Sequence, residues 1–232
     1  MTSMTRGCRA HQLIVATALA ALAALAHSAD IPLYETGPGQ DAAFVRFVNA
    51  RTEGLDVSAS GSKSRTRLST EQPASAFYSV NANAQVKGQF LAGTQQSDIA
   101  LTVKPSEFAT VVALPGVGVF KQSILREQPD DFNALKVSLA LYNLDSHCGA
   151  AGLSVVGRSA ALFNDVAPGS LQRRVLNPVS ITVQLQCKGQ LTPTMLALGA
   201  LAAGERYSVF VVAGAIASAA PRLFIANDRV AR

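Results

Sequence analysis

Tryptophan is absent from this chain, and tyrosine (four), histidine (three), cysteine (three) and charged residues (15%) are all scarce. Each scarcity narrows the chemistry. Sugar-binding modules usually offer an aromatic platform to a ring face, and the tyrosines here are Tyr34, Tyr78, Tyr142 and Tyr207. Tyr142 and Tyr207 fall inside predicted strands, where packing is their use. Tyr34 lies in an extended segment between Pro32 and Gly37-Pro-Gly39 and is placed to act as an exposed anchor or an edge-packing residue. Of the histidines, His11 and His27 sit in the N-terminal leader, so Ser-His-Asp chemistry has to run through His147. Its neighbours Asp145 and Ser146 do not make a triad by adjacency, because consecutive residues point apart while a triad converges from separate elements. Asp145-Ser-His-Cys-Gly149 reads as a polar turn. No Gly-x-Ser-x-Gly elbow is present, Asp130 and Asp131 sit together in a polar connection rather than facing each other across a substrate, and Gly116-Val-Gly118 lacks the third glycine and following helix of a nucleotide loop. The residues call for no cofactor.

Long apolar runs are missing too, apart from Leu13 to Ala26, which follows Arg6 and Arg9 and leads into small residues up to Ala29. That arrangement reads as a secretory signal peptide over residues 1–29, cut after Ala26, Ser28 or Ala29, the alternative being an uncleaved anchor. The run is shorter than the roughly 20 residues of a membrane span. Removing 1–29 takes away two basic residues and no acidic one, so the net charge falls from +5 to +3, and no nucleic-acid partner is expected. The one basic cluster, Lys63, Arg65 and Arg67 at alternate positions, is a solvated hairpin tip or a contact for an acidic polymer or protein patch. Beyond Cys8 in the leader, Cys148 and Cys187 form an even pair in an exported chain, which predicts a disulfide. Two thiols with one histidine are too few for a structural zinc site.

What the chain does have is short alternating segments. Ala43-Phe-Val-Arg-Phe-Val-Asn49 puts Val45 and Phe47 on one face and Phe44, Arg46 and Val48 on the other. Predicted strands follow at 54–60, 76–80, 86–91, 98–103, 107–114, 119–125, 136–144, 152–156, 179–186, 206–212 and 222–225, punctuated by Gly, Pro, Asn and Asp. Met195 to Ala203 reads as strand, with a helix over Leu196 to Ala203 left open. The fold class is all-β: two tandem antiparallel β-sandwich domains after a cleaved signal peptide, at 30–128 and 129–232, with the polar run Arg126 to Asn133 between them. Val137-Ser-Leu-Ala-Leu-Tyr-Asn143 echoes the first strand, Leu139, Leu141 and Asn143 matching Val45, Phe47 and Asn49. Glu107-Phe-Ala-Thr-Val-Val112 likewise resembles Arg206-Tyr-Ser-Val-Phe-Val211, so the halves read as a duplication.

Leu33-Tyr34, Gly37-Pro-Gly39 and Ala43-Phe-Val-Arg-Phe-Val-Asn-Ala50, with Asn143-Leu144 and Arg174-Val-Leu-Asn-Pro-Val179 in the second half, resemble the AlgF family of periplasmic alginate O-acetylation proteins. The cysteine pair and Gln184-Leu-Gln-Cys187 depart from the family pattern. The resemblance implies a periplasmic, non-catalytic accessory or adaptor subunit of an exopolysaccharide O-acetylation complex, partnered by a membrane-bound O-acyltransferase and a periplasmic acetyltransferase; the polysaccharide itself is a further candidate partner. Alginate is the family's usual polymer, and cellulose acetylation systems contain related subunits. Candidate partner contacts are Leu33, Tyr34, Arg46, Asn49, Arg174 and Asn177. The alternatives are an acetyltransferase acting through Ser146 and His147, and a polysaccharide-binding structural module.

Overall fold

The computed structural model describes residues 42–116, 121–128, 133–158, 161–215 and 219–231. The leader, Leu33, Tyr34, Gly118, Asp130 and Asp131 lie outside them. Described residues form sixteen strands and no helix. The first eight are β1 (Ala42–Asn49), β2 (Leu55–Ala59), β3 (Thr66–Leu68), β4 (Tyr78–Asn81), β5 (Gln85–Ala92), β6 (Gln95–Thr102), β7 (Phe108–Leu114) and β8 (Lys121–Glu127). They build two sheets, β4-β1-β7-β8 and β3-β2-β5-β6. The second eight are β9 (Val137–Asn143), β10 (Ala151–Val155), β11 (Ala161–Val166), β12 (Ser170–Leu176), β13 (Val179–Cys187), β14 (Gln190–Leu201), β15 (Arg206–Val212) and β16 (Arg222–Asn227). Their sheets, β12-β9-β15-β16 and β11-β10-β13-β14, repeat the first pair strand for strand. The chain is thus two tandem sandwiches of one topology.

The pairing is antiparallel except that β1 runs parallel to β7 and β9 parallel to β15. First and seventh strands meet in this way because five intervening strands provide the long crossover that a parallel pair requires. Phe44 lies opposite Phe108, and Ser138 opposite Arg206. With β1 matched to β9 as the sequence echo has it, Thr110 therefore corresponds to Ser208, one position off the match read from the sequence. Bulky residues alternate in both strands, so similarity alone does not fix the register.

Each sandwich fills its own core: Val45, Val57, Phe90, Ile99 and Val111 in the first, Leu139, Leu153, Phe163, Leu185 and Val209 in the second. A third core, with Val48, Val112, Tyr142, Phe210 and Val212, lies between the β1 sheet and the β9 sheet. The order of layers is therefore outer sheet, inner sheet, inner sheet, outer sheet. Inner strands are buried on both faces, which explains why β7, β9 and β15 are almost uninterrupted apolar runs. The described residues form one body, and Glu127, the last residue of β8, is an ion-pair hub described below.

The segment left open between strand and helix is β14. It pairs with β13 through a two-residue hairpin in which Lys188 (φ 53°) and Gly189 (φ 74°) are both left-handed, the geometry that matches the twist of the flanking strands. Cys148 and Cys187 are bonded, with Cα atoms 4.8 Å apart. The bond fastens the turn after β9 to the end of β13.

Candidate functional site

Arg46 sits at the middle of β1, and its guanidinium is fully buried in the third core. Its position follows from the alternation noted above: Phe44, Arg46 and Val48 share the face that meets the second sandwich. Every nitrogen has a partner. Nε donates to Thr110 Oγ1 at 2.9 Å, Nη1 to Asp228 Oδ1 at 2.5 Å and Nη2 to Ser208 Oγ at 2.9 Å. The rings of Phe77, Phe210 and Tyr142 lie 4.5, 5.0 and 5.2 Å from its charged carbon, so the cation faces aromatic π-clouds where it does not face oxygen. Thr110 comes from β7 of the first sandwich, whereas Ser208 and Asp228 come from the second.

The cluster continues outward. Asp228 also accepts from Arg173 (2.9 Å) and from the Ser208 hydroxyl (2.9 Å). Arg173 forks onto both oxygens of Glu127 at 2.8 Å, and Arg206 reaches Glu127 at 3.2 Å. Burial alone would raise the Asp228 carboxyl, but Arg46 and then Arg173 outweigh it and hold the group below its ordinary range. Burial would likewise lower Arg46 and Arg173, and their carboxylate partners, Asp228 for the one and Glu127 for the other, raise both. For Tyr142, burial dominates and pushes the phenol up. Arg46, Arg173 and Asp228 are thereby held in their charged forms. The cluster welds two sandwiches together. The C-terminal segment adds to the weld: Phe77 exchanges backbone hydrogen bonds with Arg229 (2.8 Å) and Ala231 (2.7 Å).

Two candidate partner contacts are corrected by this geometry. Arg46 is an interior lock, not a surface residue. Asn49 is 2% exposed, and its amide donates to the carbonyls of Glu53 (2.8 Å) and Leu68 (3.2 Å), holding the turn after β1. Asn143 does the same after β9, donating to Gly149 and Val166 carbonyls. The matched asparagines are therefore structural turn anchors. Arg174 and Asn177 are exposed, with Arg174 on the carbonyl of Leu162 and Asn177 accepting from Lys136 at 2.6 Å. Leu33 and Tyr34 fall outside the described residues.

His147 lines an open cleft of about 390 Å³ between the ends of the two sandwiches, with Asp145, the disulfide, Thr192 and Pro115 around it. Asp145 is buried and accepts the His147 backbone N–H at 2.9 Å, while its Oδ1 lies 3.3 Å from Nδ1 of the ring. This is the polar turn expected from the sequence. No serine or threonine hydroxyl among the described residues hydrogen-bonds the ring. The Thr192 hydroxyl donates to the Leu185 carbonyl at 3.1 Å. Among the described residues no group of three or more His, Cys, Asp or Glu is arranged to hold a metal. Sequence reasoning missed Asp228, Glu127 and Arg173, which stand far apart in the chain; the signal available was an arginine set between phenylalanines and valines in a strand apolar on both faces.

The solved structure of CBMbc (family CBM26) from Eubacterium rectale Amy13K in complex with maltoheptaose is similar at 8% identity and a TM-score of 0.25, over 80% of this chain and 96% of that one. A likeness at that level carries no argument for this protein. No curated protein matches the chain. The family described as alginate O-acetyl transferase AlgF matches residues 14–207, across both sandwiches. The chain belongs to the AlgF family, and membership implies involvement in alginate O-acetylation.

Proposed function

We propose that this protein is an accessory subunit of a polysaccharide O-acetylation complex in the periplasm, acting by holding the membrane-bound acyl donor and the periplasmic transferase together rather than by transferring acetyl groups itself. One observation carries the reading: the His147 ring, the one described imidazole, meets a carboxylate but no nucleophile. Acetyl transfer needs a group to carry the acetyl and a base to activate it. What the chain supplies instead is a rigid body, two sandwiches fused by a buried ionic core. A rigid body fixes the distance between partners bound at its ends, which makes transfer between them effectively intramolecular. Alginate is the polymer that the family points to, with a related exopolysaccharide such as cellulose as the second substrate to test.

The test uses purified components. Affinity-tagged protein expressed with its own pathway should retain the membrane-bound O-acyltransferase and the periplasmic acetyltransferase, and the protein alone, given an activated acetyl ester and an oligouronate, should leave the oligosaccharide unacetylated by mass spectrometry. Acetylation by the isolated protein would overturn the reading.

A further inference from the structure

The two sandwiches share a topology but not a filling. In the second, Leu153 at the centre of β10 lies opposite Phe163 of β11, whose ring is buried in the core. In the first, the corresponding residue Val57 of β2 lies opposite Thr66 of β3. Threonine and the small Ser64 and Ser62 before it leave unfilled the space that a phenylalanine fills in the other half. The edge strands are short as well: β3 has three residues and β4 four, against six and seven in β11 and β12. The result is a groove of about 300 Å³ that enters the first sandwich between its sheets.

The inner wall is apolar, with Val45, Phe47, Val57, Val80, Val86 and Ile99. No carboxylate lines the groove, and the one charged lining residue is Lys87. Lys63 and Arg65, exposed and without an ion pair among the described residues, are chain neighbours of the lining Ser62 and Ser64. Small-molecule sites have this form, mostly apolar with a few polar groups at the opening, and 300 Å³ is at the lower end of their range. A water takes roughly 30 Å³ in the liquid and a methylene is of similar size, so the groove accommodates one chain of about ten carbons. That is too little for a two-chain lipid.

We propose that the groove between β2, β3, β4 and β5 binds a single aliphatic chain bearing an anionic head, the chemistry of a free medium-chain fatty carboxylate, with the tail against Val45 and Ile99 and the head at Lys87. The charge at the opening selects an anion, and the volume selects one chain. Calorimetric titration of the full-length mature protein with sodium decanoate should give saturable one-to-one binding. Thr66→Phe, which places in the first sandwich the filling that the second already has, should weaken it at least tenfold. Ala59→Phe at the opening should do the same without touching the buried wall, so a folding defect in one variant leaves the other to decide. Lys87→Glu should weaken decanoate about tenfold and leave decanol unchanged. Absence of saturable decanoate binding, or binding unaffected by both phenylalanine variants, would overturn the proposal. Decanol binding as tightly as decanoate would overturn it as well, because the groove would then not select an anion. Anionic phosphatidylglycerol vesicles, or an alternating Val-Glu peptide, binding more tightly than decanoate and losing that binding in Thr66→Phe would assign the groove to a membrane or to a protein strand instead.

Discussion

The two sandwiches have the same strand order and the same turn asparagine, yet they spend their central residues differently. At the middle of β1 stands Arg46, and at the matching position of β9 stands Ala140; both face the junction. The junction is shared: the first sandwich contributes Arg46, Thr110 and Glu127, and the second contributes Asp228, Ser208, Arg173 and Arg206. The shared strand order sets two matching faces against each other, and the difference between them makes a lock. The closed sandwich carries the disulfide, whereas the open one carries the groove.

The largest effect should come from separating the halves. Residues 42–128 alone would expose Val48, Val112 and Leu125 of the third core and leave Arg46 without Asp228, and residues 133–231 would expose Tyr142, Phe210 and Val212 and leave Arg173 without Glu127. Each half expressed alone should aggregate or lack a cooperative unfolding transition, and coexpression should restore one complex. A half that unfolds cooperatively as a monomer would show that the junction is dispensable.

Removing only the cation tests the asymmetry more finely. Arg46→Met leaves Asp228 buried with one partner fewer, a change of about 3–5 kcal/mol in urea unfolding. A methionine at the matching Ala140, in contrast, tests crowding rather than charge. The same carboxylate predicts an acid limb. Asp228 is held below its ordinary value of 3.8, so the stability it contributes is fully present above that value and is lost as pH falls through the lower folded value. Asp228→Asn should flatten the decline below about pH 4 and should be less stable than the parent protein at pH 7. An unchanged acid limb in Asp228→Asn would assign the loss to other carboxylates.

Much of this arrangement could be read from the residues, and the parts that could not have physical reasons. Strands with strong alternation or full burial, β1, β5, β7, β9, β13 and β15, announce themselves. The strands not foreseen, β3, β11 and β12, are all edge strands, and their sequences, such as Ser170-Leu-Gln-Arg-Arg-Val-Leu176, mix polar and apolar residues because one face meets solvent. The disulfide was legible from an even pair of cysteines behind an expected signal peptide. The ion cluster was not, because its members are brought together only by the packing of two sheets: Arg46 and Asp228 lie 182 positions apart. Burial also reversed the reading of Arg46 and Asn49, since conspicuous polar residues in a strand look like contact points until a second layer covers them.

The disulfide is the next smaller test, and it acts on one sandwich only. Cys148→Ser with Cys187→Ser removes a link across 39 residues, which the chain-entropy account values at about 4 kcal/mol and practice at about 2–4 kcal/mol. The loss should appear in the second sandwich first, as faster amide exchange in β10 and β13, with β2 and β5 unaffected. Uniform loosening of both halves would mean that the junction transmits the change.

The smallest effect is expected at the residue that looks most chemical. His147 is 69% exposed at its side chain, and what holds the turn is its backbone N–H on Asp145, which alanine keeps. Truncation of an exposed side chain away from the core should change stability by no more than about 0.5 kcal/mol. Its effect on function is the sharper question. If the protein positions partners, a strain lacking the gene and supplied with the His147→Ala form should acetylate its polymer as fully as one supplied with the parent form. Ser146→Ala should behave identically, because no hydrogen bond connects that hydroxyl to the ring. Loss of acetylation in either variant, with abundance and unfolding midpoint preserved, would place acyl chemistry in the cleft beside the disulfide. The second sandwich would then be the working half and the first its support.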